Sequence, residues 1–387
     1  MSIASEITRL QTAKADIKTA IEAKGVTVPS SAKLDDYDTY VGQIQTGGGS
    51  GGVNSLSQLV SGASNIDVPA SELTGTTISD YAFYRQATRL KSIVLPNTIT
   101  TIGTYAFAHC NILTNISPTS QITSIGDYAF FHCWSSTFNS IDLTSCTTIG
   151  IEAFNDCNHL ATVTFPTSSF TVGNKAFLNC PITNINLTNC TSLGNDAFKG
   201  NTALTSVTVP NTITSIGTGV FDTNTALTSV TWNKTSGEIP GYAFNGCSSL
   251  TSFIIASGVT GIGNTATNGI RTFQNCTSLT SITIPDTVAY IGNYTFNGCT
   301  SLNNVVIPSA VTKINQSTFN GCTGLTNVTL PNTITNIYGY AFGSCSNLTA
   351  ITYQGTMAEW GSVSLTSTWK TGSGLTTIHC TDGDITL

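Results

Sequence analysis

The sequence has 387 residues, of which 40% are hydrophobic and 9% are charged, and its formal net charge is −6. A disordered chain would be poor in apolar residues and rich in charge, so this composition excludes a largely disordered protein. The dilute negative charge argues against nucleic-acid binding, which needs a basic face. Residues 1–46 hold 11 of the 34 charged side chains, so the chain begins with a differently built segment.

Residues 1–46 are predicted to form a helical attachment and oligomerisation module. Apolar residues recur there at heptad spacing with one polar interruption, at Ile3, Ile7, Leu10, Lys14, Ile17 and Ile21. A single polar residue in such a seam sets register and oligomer state in coiled coils. We therefore expect self-association through residues 3–24, as a trimer or another multimer. The alternative is an amphipathic helix that packs onto its own neighbour.

Residues 47–52 are rich in glycine and predict a flexible linker. Residues 53–89 follow as an N-terminal cap with a degenerate first coil. No stretch approaches the roughly 18 consecutive apolar residues of a transmembrane helix. The opening residues are charged throughout and lack the apolar core of a secretory signal. We therefore expect no membrane insertion and production in the cytoplasm without export.

A phenylalanine recurs through the rest of the chain at a nearly fixed spacing. Successive gaps are 24, 23, 24, 23, 21, 23, 23, 29, 23, 23 and 23 residues. A period in the low twenties is typical of a solenoid built from single coils. These anchor residues are Phe83, Phe107, Phe130, Phe154, Phe177, Phe198, Phe221, Phe244, Phe273, Phe296, Phe319 and Phe342.

The pattern within one period predicts a β-rich solenoid of about twelve 23-residue coils, each with short strands and turns, over residues 90–350. The inward positions of a typical coil are Leu204, Val207, Val209, Ile213 and Ile216. Pro210 closes the first strand and Gly217 supplies a turn. Residues 351–387 replace the anchor motif with Trp360 and Trp369, which predicts a C-terminal cap over the last coil.

The cysteines follow the same period. Nine of them occupy the third position after an anchor, and two coils carry Asn201 and Asn224 there instead. This exchange predicts a buried column whose side chains meet the backbone of the next coil, so we expect reduced structural thiols and no disulfides. Cys146 and Cys190 are predicted to be small core residues. The nine are Cys110, Cys133, Cys157, Cys180, Cys247, Cys276, Cys299, Cys322 and Cys345.

No catalytic constellation is visible in the sequence. It contains no GxSxG, HExxH or P-loop motif, and no CxxC pair that would indicate a zinc site. A depolymerase would need carboxylate pairs clustered across coils, whereas the acidic residues are isolated. We therefore expect no enzymatic activity, no metal and no cofactor.

The unit IGNYTFNGCTSLNNVVIPSAVTKI at 291–314 resembles the BspA-like leucine-rich repeats, whose pattern is I-G-x-x-A-F-x-x-C-x-x-L. The resemblance covers about 68–380. Members are mostly bacterial and protozoal surface proteins implicated in adhesion, which implies a binding role. The opening segment is similar to the N-terminal segments of tail-fibre and other virion proteins of tailed phages. This second resemblance implies attachment to other virion proteins through the N-terminus.

Together, the two resemblances predict a non-enzymatic phage virion fibre or adhesin, located in the virion, that binds a host-cell surface glycan or protein. Two alternatives stay open. One is a purely structural head fibre or decoration protein of a virion, and the other is a bacterial surface adhesin.

Two regular surfaces are candidate binding faces. The first is the exposed strand face, represented by Thr208, Thr231 and Thr283, whose short side chains suit glycans. Any exposed strand face tolerates threonine, so a purely structural origin is the alternative. The second is a column two residues before the anchors, represented by Tyr105, Tyr128, Tyr242 and Tyr294. Stacked tyrosines either contact sugar rings or stabilise the solenoid.

Two irregular coils offer further candidates. The 29-residue spacing contains an insertion near 263–271, and Arg271 takes the tyrosine position there. Trp134 lies in a coil that is widened by two residues. Insertions in a solenoid map to loops on one face, which is often the binding face.

Overall fold

The computed structural model describes Lys18, Glu22, residues 66–263 and residues 270–387. The predicted seam formed by Ile3, Ile7, Leu10, Lys14, Ile17 and Ile21 lies outside the described residues, as do the linker at 47–52 and most of the insertion near 263–271. The chain forms two compact units, Met1–His159 and Leu160–Leu387.

The first unit is built from short parallel strands on two faces of each coil. On one face β1 pairs with β3 and β3 with β5, and on the other face β2, β4, β6 and β8 pair in that order. The strands are β1 (Ile66–Val68), β2 (Thr77–Ile78), β3 (Leu90–Val94), β4 (Thr101–Ile102), β5 (Asn115–Ser117), β6 (Ser124–Ile125), β7 (Ser140–Asp142) and β8 (Thr148–Ile149). A single 3-10 turn at Ala70–Glu72 follows β1.

The second unit continues the same coil pattern. Its first strands are β9 (Thr162–Thr164), β10 (Phe170–Val172), β11 (Cys190–Leu193), β12 (Ser206–Val209), β13 (Ser215–Ile216), β14 (Ser229–Trp232), β15 (Glu238–Ile239), β16 (Ser252–Ile254), β17 (Gly261–Ile262) and β18 (Ser281–Thr283). They are followed by β19 (Tyr290–Ile291), β20 (Asn304–Val306), β21 (Lys313–Ile314), β22 (Asn327–Leu330), β23 (Asn336–Ile337), β24 (Ala350–Tyr353), β25 (Ser364–Leu365), β26 (Thr377–Cys380) and β27 (Gly383–Thr386). The four-residue helix α1 (Met357–Trp360) begins with a capping box between Thr356 and Glu359.

From β12 onward, one face of the second unit is a continuous ladder and the other is not. Among the described residues, β12, β14, β16, β18, β20, β22, β24, β26 and β27 pair in that order, with only the last pair antiparallel. On the other face, β10, β11 and β13 form one group, β15, β17 and β19 a second, and β21, β23 and β25 a third. This broken face positions the candidate site described below.

The anchor phenylalanines form the core of both units. In the first unit, Phe83, Phe107, Phe130 and Phe154 stack with ring centroids 5.0–5.2 Å apart. In the second unit, successive anchors from Phe177 to Phe342 stack at 5.3–6.0 Å. Burying each ring stabilises the fold by about 1.5–3 kcal/mol. The predicted leucine-rich-repeat solenoid is therefore confirmed.

The end of the second unit covers its last anchor. The Trp369 ring lies edge-on to Phe342 at 6.1 Å, and Trp360 lies 6.2 Å from Trp369. Both tryptophans are buried. They cover the last anchor of the aromatic stack.

Each anchor lies between two residues in the left-handed conformation. Tyr81 and Arg85, with φ of 59° and 57°, flank Phe83 in this way. The amides of these three residues all donate to carbonyls of the following coil, at 2.7–2.9 Å. A non-glycine residue in this conformation costs about 1–2 kcal/mol, so the side chains held there carry a backbone penalty.

The cysteine column forms the predicted contact with backbone, but in the opposite direction. The Cys299 Sγ donates to the carbonyl of Phe273 in the preceding coil at 3.1 Å, and the expectation of a contact to the next coil is wrong. Asn201 Nδ2 makes the equivalent bond to Phe177 at 2.8 Å. All twelve thiols are free, and burial raises the pKa of Cys299 to about 12.

Candidate functional site

A glycine follows the second short strand of most coils and lets adjacent coils approach. In the first unit, Gly126 N donates to the carbonyl of Ile102 at 2.8 Å, and in the second, Gly217 N donates to Leu193 at 2.8 Å. A Cβ atom at Gly126 would lie 2.7 Å from the backbone nitrogen of Thr104. A side chain at Gly126 would therefore force the two coils apart or displace this backbone.

Four coils of the second unit lack glycine at this position, and the sheet ends at the two in which the backbone hydrogen bond is also missing. Pro240 has no N–H to donate, and β13 and β15 do not pair among the described residues. At Asn315 the side-chain Nδ2 replaces the backbone and donates to Ile291 at 2.6 Å, and β19 and β21 do not pair within the described chain. Tyr338 keeps the backbone bond, at 2.9 Å to Ile314, and the sheet continues to β23. Each break therefore coincides with the loss of one backbone-to-backbone hydrogen bond between adjacent coils.

The break between β19 and β21 is an open groove of about 530 Å³, the Asn315 groove. Tyr290 and Tyr338 are among its lining residues, and its single charged lining residue within the described chain is Lys313. The lining residues are Ala289, Tyr290, Ile291, Asn293, Thr312, Lys313, Asn315, Gln316 and Tyr338. This mixture of aromatic, amide and hydroxyl groups is typical of a polar ligand site.

Three amide side chains of the Asn315 groove are each held by one of their two polar ends. Asn315 Nδ2 donates to Ile291, Asn293 Oδ1 accepts from the backbone of Gln316 at 3.1 Å, and Gln316 Nε2 donates to the Tyr294 hydroxyl at 3.2 Å. The opposite atoms, Asn315 Oδ1, Asn293 Nδ2 and Gln316 Oε1, remain available to a ligand. Amides fixed in this way lose little entropy when they bind.

The break between β13 and β15 forms a second groove of about 560 Å³, the Pro240 groove. It includes Glu238 and Lys234 and has no aromatic side chain among its lining residues. Lys234 is buried, and its Nζ donates to the Ile213 carbonyl at 2.5 Å. Burial lowers the pKa of this ammonium group. The Lys234 stem fills core space, so the two grooves share an origin but not a chemistry.

The predicted tyrosine column in the first unit is a stack of rings. Tyr105 lies between Tyr81, at 5.1 Å, and Tyr128, at 4.6 Å, with nearly parallel ring planes. Both faces of Tyr105 are covered, which leaves its edge and hydroxyl for a ligand. Burial, with smaller contributions from Tyr128 and Tyr81, raises the pKa of Tyr105 to about 12. This geometry favours the stabilising role that the sequence left open.

Trp134 occupies a different setting in the same unit. Its side chain is 46% exposed and stacks with one face on His132 at 5.1 Å. His132 Nε2 in turn lies 3.0 Å from the carboxylate of Asp156, which fixes the imidazole. Trp134 therefore offers a supported ring face to solvent.

Trp134 and the tyrosine column belong to one continuous surface, the aromatic surface. Each ring contacts another at centroid distances of 3.9–6.0 Å. Its members are Tyr81, Tyr84, Tyr105, His109, Tyr128, Phe131, His132 and Trp134. The sequence interpretation did not combine Tyr84, His109, Phe131 and His132 with the column. Their recurrence one or two residues after the anchors was the available signal.

Arg271 lies between two of the predicted tyrosines in the second unit. Its guanidinium carbon is 5.7 Å from the Tyr242 ring and 5.5 Å from the Tyr294 ring. A cation between two aromatic faces stabilises both contacts. Through the bond from Gln316 to Tyr294, this stack borders the Asn315 groove.

The predicted threonine face is exposed and in register. Thr208 pairs with Thr231, and both are exposed, as is Thr283. The column between them is not uniformly polar, because Ile254 lies between Thr231 and Thr283 and is 76% exposed. A flat ladder of mixed apolar and hydroxyl groups is available on this face.

In the residues that the structure describes, no three His, Cys, Asp or Glu side chains come close enough to hold a metal ion. No helix within that part of the chain is long and apolar enough to cross a bilayer. The fold and its surfaces therefore define a leucine-rich-repeat solenoid whose candidate sites are open grooves and exposed side chains.

The chain belongs to the family described as the BspA type leucine rich repeat region, which it matches over residues 76–203, 171–271 and 269–378. Among solved structures, a leucine-rich repeat protein from Bacteroides ovatus ATCC 8483 is 23% identical, with a TM-score of 0.54, and the match covers 84% of this chain and 94% of that chain.

Two further solved structures resemble this chain. A leucine rich cell surface protein from Faecalibacterium prausnitzii A2-165 is 24% identical, with a TM-score of 0.45, over 78% of this chain and 90% of that chain. The pneumococcal vaccine antigen PcpA is 18% identical, with a TM-score of 0.48, over 81% of this chain and 89% of that chain. Identities this low concern the fold alone. Comparison with curated proteins gives no match.

Proposed function

We propose that this chain is a non-enzymatic binding protein whose solenoid recognises a glycan or protein on a cell surface. Membership of a leucine-rich-repeat family supports a binding role. The single observation that carries the proposal is the aromatic surface of the first unit. Exposed aromatic clusters on an otherwise polar protein mark interaction sites.

The backbone beneath the aromatic surface strengthens this argument. Tyr81, Tyr105, His109, Tyr128 and His132 all adopt the left-handed conformation, with φ between 53° and 61°. Glycine would adopt it without the penalty of about 1–2 kcal/mol. Both units have this conformation beside every anchor, but within the described residues only the first unit fills every such position with a side chain, which is a reason to infer function from strain there.

The biological setting is a separate part of the proposal. A phage virion fibre remains a prediction from the opening residues, to which the comparisons add no support. A bacterial surface adhesin fits the family equally well. A structural virion component is the remaining alternative, and the covered faces of Tyr105 favour it over ligand contact at that residue.

The test is binding of the purified chain to arrays of cell-surface glycans and to intact bacterial cells. We expect Trp134→Ala to weaken binding at least tenfold, because its exposed ring is a candidate anchor. Tyr340→Ala is the control, since Tyr340 is an aromatic residue of similar exposure, 44%, but lies in the second unit. Absence of binding by the unaltered chain, or equal loss in both variants, would contradict the proposal.

Self-association through residues 3–24 is proposed on the heptad pattern alone. Light scattering of the full chain and of a chain that begins at Val53 tests it. A multimer that becomes a monomer on truncation supports an assembly module at the N-terminus. Two monomers would remove this part of the proposal.

A further inference from the structure

We propose that the Asn315 groove is a binding site for a short saccharide and that Lys313 gives it a preference for saccharides with a carboxylate. This inference rests on the proposed binding function and names a ligand class for one site. The groove lies in the second unit and includes none of the residues of the aromatic surface.

The groove is a departure from the repeat of the solenoid. Gly292 in the preceding coil donates its backbone N–H to Ile262 at 2.8 Å, and Tyr338 in the following coil donates to Ile314 at 2.9 Å. Asn315 alone of these three positions uses its side chain instead. A coil that followed the repeat would leave a paired ladder here and no open space.

The chemical groups that line the groove match those of a saccharide. Sugars present hydroxyl groups that donate and accept hydrogen bonds, and ring C–H faces that pack on aromatic rings. The groove offers Asn293 Nδ2 as a donor and Asn315 Oδ1 and Gln316 Oε1 as acceptors, each fixed through its other end. Two aromatic residues, Tyr290 and Tyr338, are among its lining residues. A volume of about 530 Å³ suits a ligand of a few sugar units.

The lining of the groove disfavours other classes of ligand. A purely apolar ligand would leave the amides and Lys313 without partners, which is unfavourable on burial. A peptide that extends the sheet needs a long strand edge, whereas β19 and β21 have two residues each. Lys313 makes no ion pair with the described residues, so its ammonium group is available to a ligand carboxylate.

The Pro240 groove is an internal comparison. It arises from the same loss of a backbone hydrogen bond and has a similar volume, about 560 Å³. It lacks aromatic rings among its lining residues, and the buried Lys234 is turned to the Ile213 carbonyl. We therefore expect no saccharide binding there.

The experiment titrates the full chain with array members in matched neutral and acidic pairs, such as lactose and sialyllactose. We expect an acidic member to bind more tightly than its neutral partner. Asn315→Gly and Tyr338→Ala should each weaken binding at least tenfold, and Lys313→Met should abolish only the acidic preference. Thr218→Ala in the Pro240 groove is the control and should leave binding unchanged. Thermal unfolding of each variant verifies that it folds.

Two results would overturn the inference. One is that no saccharide of the array binds, and the other is that Asn315→Gly and Tyr338→Ala both bind like the unaltered chain. Equal binding of acidic and neutral partners would remove the role of Lys313. Cell binding, measured with the same preparations, separates the proposed function from the proposed saccharide site. Cell binding that depends on Trp134 and not on Asn315 would keep the proposed function and remove the saccharide site. Absence of any cell binding by the unaltered chain would remove both proposals.

Discussion

The same glycine position has different consequences in the two units. In the first unit, Gly103, Gly126 and Gly150 each donate to the preceding coil at 2.8–2.9 Å, and β2, β4, β6 and β8 pair without interruption. In the second unit, Pro240 and Asn315 remove this bond and the corresponding face is broken twice among the described residues. One backbone N–H per coil therefore decides whether the surface is a flat ladder or a groove.

The units also differ in how they fill the left-handed positions beside the anchors. The first unit places a side chain at all eight positions within its described residues, including the tyrosines and histidines of the aromatic surface. The second unit uses glycine at five, namely Gly200, Gly219, Gly246, Gly298 and Gly321. The first unit therefore carries side chains at strained backbone positions, whereas the second unit has open grooves between coils.

The largest expected effect comes from moving the break into the first unit. Gly126→Asn would place a Cβ atom 2.7 Å from the Thr104 nitrogen, and we expect it to lower the free energy of unfolding by about 2–3 kcal/mol. Urea denaturation measures the change. Gly261→Ala is the control, since its Cβ would first meet the flexible Glu238 side chain at 3.2 Å. A loss below about 1 kcal/mol at Gly126 would show that the ladder tolerates side chains there.

An intermediate effect is expected in the cysteine column of the second unit. Asn224 is buried and neither of its amide atoms has a hydrogen-bond partner, whereas Asn201 lacks a partner only at Oδ1. Asn224→Cys should raise the free energy of unfolding by about 1–3 kcal/mol, because it removes buried unpaired groups. Asn201→Cys should raise it less. Equal changes in the two variants, measured by denaturation, would contradict this account.

The smallest effect is expected at a left-handed position. Ser344 is exposed with φ of 55°, so Ser344→Gly should stabilise the second unit by about 0.5–1 kcal/mol after the entropy cost of glycine. The reverse change, Gly321→Ser at φ of 74°, should destabilise it by a similar amount. Thermal unfolding of both variants provides the measurement. A destabilised Ser344→Gly variant would mean that these positions are not strained.

Much of the fold could be predicted from the sequence because the same residue types recur at the same positions of many coils. The spacing of Phe83 to Phe342 predicted the stacked core, and the exchange of Cys with Asn201 predicted a buried column that contacts backbone. The direction of that contact could not be predicted, since a period does not say which neighbour a side chain faces. The left-handed residues were missed because tyrosine and histidine seldom adopt that conformation.

The candidate site was less accessible to sequence reasoning. The tyrosine column and Arg271 were found by position, but their stacking with covered faces depends on a coil separation that only the structure supplies. The grooves were not predicted because the sequence signal lies in residues that recur, whereas Pro240 and Asn315 depart from the repeat. Comparing every coil at that one position would have picked out both, together with Tyr338, where the ladder continues.

Amide hydrogen exchange of the full chain, resolved to single residues, tests the central claim most directly. Gly126 and Gly292 donate their backbone N–H groups to the preceding coil, and their amides should exchange slowly. The backbone amide of Asn315, replaced in this role by its side chain, should exchange faster by about two orders of magnitude or more. Equal protection at Gly292 and Asn315 would mean that the coils remain paired there and would contradict the origin proposed for the groove.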